Sequence, residues 1–330
     1  MEKSNNGNNC WLTLVFASLL ILPSLVTVSN NAFADTTTAT STHTIQNAIL
    51  TDLTTRLGGN ATGIYYPMYD LSELPQVLAA KKEFPMVPFN VNINPDSGPG
   101  TVPSTEWASA ITQLKSVGAV VTGYVPTGYA TERSIVDVES MISSYQQFYP
   151  NMLDGIMFDE VSSSPSNFTF YKTISDYARS IGFPYIRANP GDTIYQGAVP
   201  LFNHIAIYEG AGYPSEPTLA SRSFYPQYSK EMVGFGATIH TTSTYDPTWL
   251  HMATKYLKWV YITDQTEPDP YSVFPSYFNQ YLTDLATTQF KVTSPSVPEF
   301  PSSFSLALVF ASVTAACIVI SQKMASSFKY

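Results

Sequence analysis

The sequence predicts one (β/α)8 barrel of the TIM type, a single α/β domain. Short apolar runs alternate with helical patterns between residues 63 and 289, and eight such runs can be counted. Polar and aromatic residues collect just after the runs, where a barrel of this kind carries its working face. A doubly wound open sheet is the competing arrangement. No Gly-rich phosphate fingerprint follows the first run, which counts against that sheet.

The elements follow in order. Strands are read at 63–68 (GIYYPM), 86–93 (MVPFNVNI), 119–125 (AVVTGYV), 154–160 (DGIMFDE), 184–189 (PYIRAN), 204–210 (HIAIYEG), 232–239 (MVGFGATI) and 259–264 (WVYITD). Each is a short apolar run rich in β-branched or aromatic residues. Helices are read at 74–84, 104–118, 134–149, 168–182 and 247–258, and 275–287 closes the series. A weaker helical stretch follows Asp192, and a short one lies near Thr218. Ser104, Ser134 and Asp246 stand where N-caps are expected. Gly118 and Gly182 stand where helices should stop.

The barrel is expected over residues 55–290, flanked by targeting segments. Residues 1–34 read as a secretory signal peptide: Lys3, a long apolar run, then Ala32-Phe33-Ala34 as a cleavage site. Residues 35–54 form a Thr-rich leader and 291–303 a Pro/Ser linker. Residues 304–320 form an apolar span of about 17 residues, short for a transmembrane segment but sufficient, with a basic tail at 321–330. Pro298-Glu299-Phe300-Pro301, the span and the basic tail together resemble the PEF-type C-terminal sorting signal of archaeal surface proteins. An exported protein anchored at the outer face of the cell membrane or envelope is therefore expected. Cys10 and Cys317 both fall in the flanking apolar runs, so the domain itself contains no disulfide. The net charge of −9 excludes a nucleic-acid partner, which selects basic surfaces. Few charges among many Ser, Thr, Asn and Tyr suit a surface that meets neutral polymers.

The chain is only 12% charged, yet three acids fall within residues 154–160. Ionised carboxylates beside an apolar strand are costly unless paired, hydrogen-bonded or at work. Asp159 and Glu160 stand at the C-terminal rim of the fourth strand, whereas Asp154 stands at the opposite end, where structural roles prevail. Tyr65, Tyr66 and Tyr69 belong to the first strand and its exit, and Asn90, Asn92 and Asn94 repeat at period two on the second. Tyr124, Thr127, Tyr129 and Arg133 follow from the third strand, and Asn189, Glu209, His240 and Asp264 from the ends of the fifth to eighth. The histidines are scattered without metal-ligand spacing, so neither metal nor cofactor is expected.

Several stretches carry a resemblance: VPFNVNINPDSGPG, VVTGYVPTGYATER, DGIMFDE, NPGD and IAIYEG, spread in order over almost the whole domain. The chain resembles the spherulin-4, or spherulation-specific family 4, proteins, which include glycoside hydrolase family 135. The resemblance implies a (β/α)8 barrel and cleavage inside chains of α-1,4-linked N-acetylgalactosamine. It matches the family's acids to Asp159 and Glu160 on strand four and Glu209 on strand six. The membrane-sorting tail departs from the fungal pattern.

Glycoside hydrolysis needs two carboxyl groups flanking the bond, one to protonate the leaving oxygen and one to attack or to activate water. Glu160 is expected as the acid, Glu209 as the opposing group, and Asp159 as a tuning or sugar-holding neighbour. Tyr66, Asn94, Tyr124, Tyr129, Arg133, Asn189, His240 and Asp264 are expected to bind substrate. The expected protein is a monomeric, surface-tethered endo-glycosidase acting on amino-sugar exopolysaccharide. A non-catalytic carbohydrate-binding protein on the same barrel is the alternative.

Overall fold

The computed structural model describes residues 50–230 and 232–289. Its eight strands close in sequence order into one parallel barrel. They are β1 (Gly63–Met68), β2 (Phe89–Ile93), β3 (Val120–Pro126), β4 (Gly155–Asp159), β5 (Tyr185–Ala188), β6 (His204–Ala211), β7 (Gly234–His240) and β8 (Trp259–Ile262). The helices are α1 (Leu74–Glu83), α2 (Thr105–Ser116), α3 (Ile135–Phe148), α4 (Phe168–Ser180), α5 (Glu216–Arg222), α6 (Pro247–Ala253) and α7 (Phe278–Gln289). The weak stretch after Asp192 is a 3-10 helix, Gln196–Leu201, with Pro200 inside it. Proline lacks the amide hydrogen that a longer α-helix needs there.

The expected caps are present. Ser104 accepts from the Trp107 amide at 3.1 Å, and Ser134 forms a reciprocal capping box with Asp137. Asp246 accepts from the amides of Thr248 and Trp249. Each cap contributes about 1 kcal/mol. Gly118 and Gly182 both adopt positive φ just beyond their helices, a conformation that costs any other residue. The signal peptide and nearly all of the leader lie outside the described residues, as do the linker, PEF-like signal, apolar span and basic tail. Residues 50–54, expected as the end of the leader, are helical, and Leu53 is buried against Val120 and Tyr185. Among the described residues, no helix is long and apolar enough to cross a membrane.

Successive strand residues alternate between the barrel axis and the helical layer. Ile64, Phe89, Val91, Val121, Ile156 and Phe158 join the apolar core under the helices. The inward set is different: Tyr65, Met157 and Trp259 pack together, and Asn90, Asn92, Thr122, Arg187 and His204 are almost fully buried polar groups. The Thr122 hydroxyl donates to the side-chain oxygens of Asn90 and Asn92, at 3.3 and 2.9 Å. The two asparagines therefore form a ladder inside the barrel. The Arg187 guanidinium lies 3.5 Å from the centre of the Tyr65 ring, a cation–π contact.

β6 interrupts the alternation once. Ala206 pairs with Gly236 and Tyr208 with Ala237, so Ile207 is an extra residue with no partner. A bulge of this kind reverses which residues face inward. His204 and Ala206 face the axis before it, and Glu209, paired with Thr238, faces the barrel mouth after it.

Candidate active site

The barrel mouth holds a small cleft lined by Tyr65, Tyr69, Asp159, Arg187, Glu209 and Tyr271, with Asn189 between the two acids. Asp159 reaches it by parity: Gly155, Met157 and Asp159 are the inward positions of β4. Asn189 follows Arg187 by two residues just past β5 and shares that face. Glu209 is turned in by the bulge.

One hydrogen-bonded chain links these groups. The Tyr124 hydroxyl donates to Asp159 Oδ2 at 2.9 Å. Asn189 Nδ2 donates to Asp159 Oδ1 at 2.8 Å and to Glu209 Oε2 at 2.7 Å. The Tyr271 hydroxyl donates to Glu209 Oε1. All four carboxylate oxygens therefore accept a bond. Because one nitrogen bonds both acids at 2.8 and 2.7 Å, their facing oxygens are at most about 5.5 Å apart. Burial, and then the nearby charge of Glu209, push the Asp159 carboxyl above its ordinary range, against the bonds from Tyr124 and Asn189 and the pull of the Glu160 amide. Burial also raises the hydroxyls of Tyr65, Tyr69, Tyr124 and Tyr271, keeping them neutral donors. Among the described residues, no Lys, Arg or His forms an ion pair with Asp159, Glu160 or Glu209, and no cluster of three metal-ligating side chains occurs.

The expected acid, Glu160, stands apart from this chain. Its backbone turns left-handed, at φ 55, directly after β4. Its Oε2 accepts from the Gly128 amide at 2.9 Å, and its carbonyl accepts from the Tyr129 amide at 2.8 Å. Glu160 therefore braces the loop after β3, and Asp159 is the strand-four acid that meets Glu209. Adjacent strand residues point to opposite faces, and the left-handed turn does not bring the second one round.

The other expected residues divide. Tyr124 and Asn189 are in the chain. Tyr66 is on the outer face, donating to Glu73 at 2.8 Å and stacked on Phe274, so its neighbour Tyr65 is the cleft residue. Asn94 accepts from the Gly98 amide at 2.8 Å and shapes its own loop. Asp264 does the same after β8, accepting from the Ser276 amide and from Gln265. His240 is buried, with Nδ1 against the Thr241 hydroxyl and Nε2 3.3 Å from Glu267. Tyr129 and Arg133 are exposed on the rim after β3. Of the cleft residues Tyr65, Arg187 and Tyr271, Tyr65 was singled out from sequence among the first-strand tyrosines, and the other two were not. Strand parity places the first two opposite Tyr66 and below Asn189. Tyr271 lies in an irregular segment with no periodicity to read.

The model of spherulation-specific family 4 matches residues 65–285. Spherulin-4 of Physarum polycephalum is 34% identical over 122 residues, 36% of this chain and 36% of that protein's length. The matched stretch thus spans about a third of that relative. The crystal structure of Aspergillus clavatus Sph3 in complex with GalNAc aligns with a TM-score of 0.60 and 21% identity, over 70% of this chain and 99% of that one. That likeness is one of fold.

Proposed function

The chain belongs to spherulation-specific family 4, and we propose that within it this protein is a glycoside hydrolase using Asp159 and Glu209 as its reacting carboxyl pair. The observation that carries the reading is the Asp159–Asn189–Glu209 bridge at the barrel mouth. The GalNAc in the Aspergillus Sph3 structure supports an amino-sugar polymer as the substrate class.

Asp159 is the acid in this reading. Burial and the charge of Glu209 favour its neutral form, the form that donates a proton to the leaving oxygen. Glu209 is the opposing carboxylate. In α-linked N-acetylgalactosamine the acetamide is cis to the leaving group and cannot attack, so an enzyme carboxylate is required. Facing oxygens at most about 5.5 Å apart leave the two acids close enough to act on one bond. In this reading Glu209 attacks the sugar carbon itself, with retention of the anomeric configuration.

The flanking segments extend the reading to an exported, envelope-tethered enzyme that cleaves inside the chain. The support is the sequence pattern of residues 1–34 and 298–330. A depolymerisation screen of the purified protein over α- and β-linked amino-sugar polymers tests the activity. NMR of the first-formed anomer tests retention. No cleavage of any polymer removes the hydrolase and leaves a carbohydrate-binding barrel.

A further inference from the structure

We propose that Asn189 is a positioning residue that places the acid's proton on a single atom, Asp159 Oδ2, the oxygen facing Tyr124. This rests on Asp159 and Glu209 being the reacting pair.

The orientation of the Asn189 amide is fixed by its surroundings. Its Oδ1 accepts from the Gly191 amide at 3.2 Å, so Nδ2 is the end that faces the carboxylates. Its backbone is pinned on both sides, with its amide donating to the Phe158 carbonyl and its carbonyl accepting from the Val161 amide. An amide nitrogen donates two hydrogens and accepts none. Both oxygens that face it, Asp159 Oδ1 and Glu209 Oε2, must therefore present lone pairs. A proton on either would meet a hydrogen.

The remaining oxygens face hydroxyls, which can donate or accept. Tyr124 donates to Asp159 Oδ2 while the carboxylate is ionised and can turn its hydroxyl to accept once that oxygen is protonated. Tyr271 stands in the same relation to Glu209 Oε1. The protonated pair thus has two permitted proton positions, both distal to Asn189. Burial favours the one on Asp159. The other ionisable groups around the pair are Tyr65 and Tyr69 from the β1 side, Tyr129 on the loop after β3, Glu160 beyond β4, and Arg187 on β5. The tyrosines are neutral, and Glu160 is engaged by Gly128.

Neutron diffraction from the full chain, equilibrated in D2O at low pD, locates the deuteron directly. Deuterium on Asp159 Oδ2 with the amide deuterons of Asn189 aimed at both acids is the expected result. Deuterium on Oδ1, or a reversed amide, overturns the proposal. Carboxyl-carbon NMR titration gives a second readout. Asn189→Ala removes two donors from the ionised pair and should move the Asp159 midpoint up by about one pH unit. Asn189→Gln, which keeps the donors, should recover part of that shift. An Asn189→Ala protein with native circular dichroism and an unmoved midpoint overturns the assignment. If Asn189→Ala fails to fold, Asn189→Leu, close in size, uncharged and without donors, takes its place with the same criterion. Neither measurement needs a sugar. A wild type that cleaves no polymer while passing both tests rejects the hydrolase and supports the placement of the proton.

Discussion

Arg56 grips Asp154 with two parallel N–H···O bonds of 2.7 Å, at the far end of β4 from Asp159. Asp154 also accepts from the Val121 amide at 2.8 Å and lies 3.1 Å from Lys115. The bidentate side chains are 9% and 5% exposed; without Asp154, Arg56 keeps Asp52 and the Ala119 carbonyl, while the buried Val121 amide loses its acceptor. Asp154→Ala should cost about 3–5 kcal/mol in urea unfolding and leave kcat per folded molecule unchanged. A pure loss of turnover would assign this end of the strand to the chemistry.

The reacting pair and its neighbour should separate cleanly. Asp159→Asn and Glu209→Gln should each lower depolymerisation by at least about 100-fold. Glu160→Gln should cost less than about tenfold, because its carboxylate serves the Gly128 loop. Equal losses in all three variants would restore Glu160 to the reaction.

Asp159 is also expected to oppose stability. Its folded carboxyl lies above the unfolded value, so its favourable contribution holds at low pH and is lost as pH rises through the folded value. Asp159→Asn should therefore raise Tm at pH 7 while abolishing turnover. Calorimetry of both proteins checks this, and an equal or lower Tm would show that the site stores no such cost.

Tyr124→Phe carries the opposite kinetic sign from a simple defect. The Tyr124 bond lowers the Asp159 carboxyl, so its loss should raise it. The alkaline limb of kcat/KM, set by the acid losing its proton, should move to higher pH. A downward shift would exclude Asp159 as the acid.

Glu73 gives a pH effect away from the site. It is 5% exposed, its Oε1 has no hydrogen-bond partner, and burial pushes its carboxyl from 4.5 up to about 7. The neutral form's stabilisation is present below 4.5 and is lost as pH rises to about 7. Glu73→Gln should flatten that decline and stabilise the fold at pH 8 by about 3 kcal/mol, measured by chemical denaturation.

The barrel was legible because its signals are local and repeated. β1 has the limits read from GIYYPM, and the caps at Ser104, Ser134 and Asp246 form as their residue types require. Asp159, Asn189, Glu209 and Tyr124 were legible as rim residues. Their grouping was not, because it depends on which face each side chain takes. Simple counting separates Tyr65 from Tyr66 and Asp159 from Glu160. No counting separates Tyr208 from Glu209, since the unpaired Ile207 appears only once β6 is aligned with β7. Tyr271 comes from a segment whose position is set by contacts across the mouth, including its edge-on meeting with Tyr69.

The extra residue in β6 makes the second acid a question of pairing. Deleting Ile207 would leave Ala206, Tyr208 and Glu209 opposite Gly236, Ala237 and Thr238, a regular alternation that still turns Glu209 inward. Taking Ile207 into the ladder opposite Ala237 would instead move Tyr208 to the Thr238 position and Glu209 to the outward Ile239 position. The choice between an acid and a phenol at that point of the mouth thus rests on one residue being left out of the sheet.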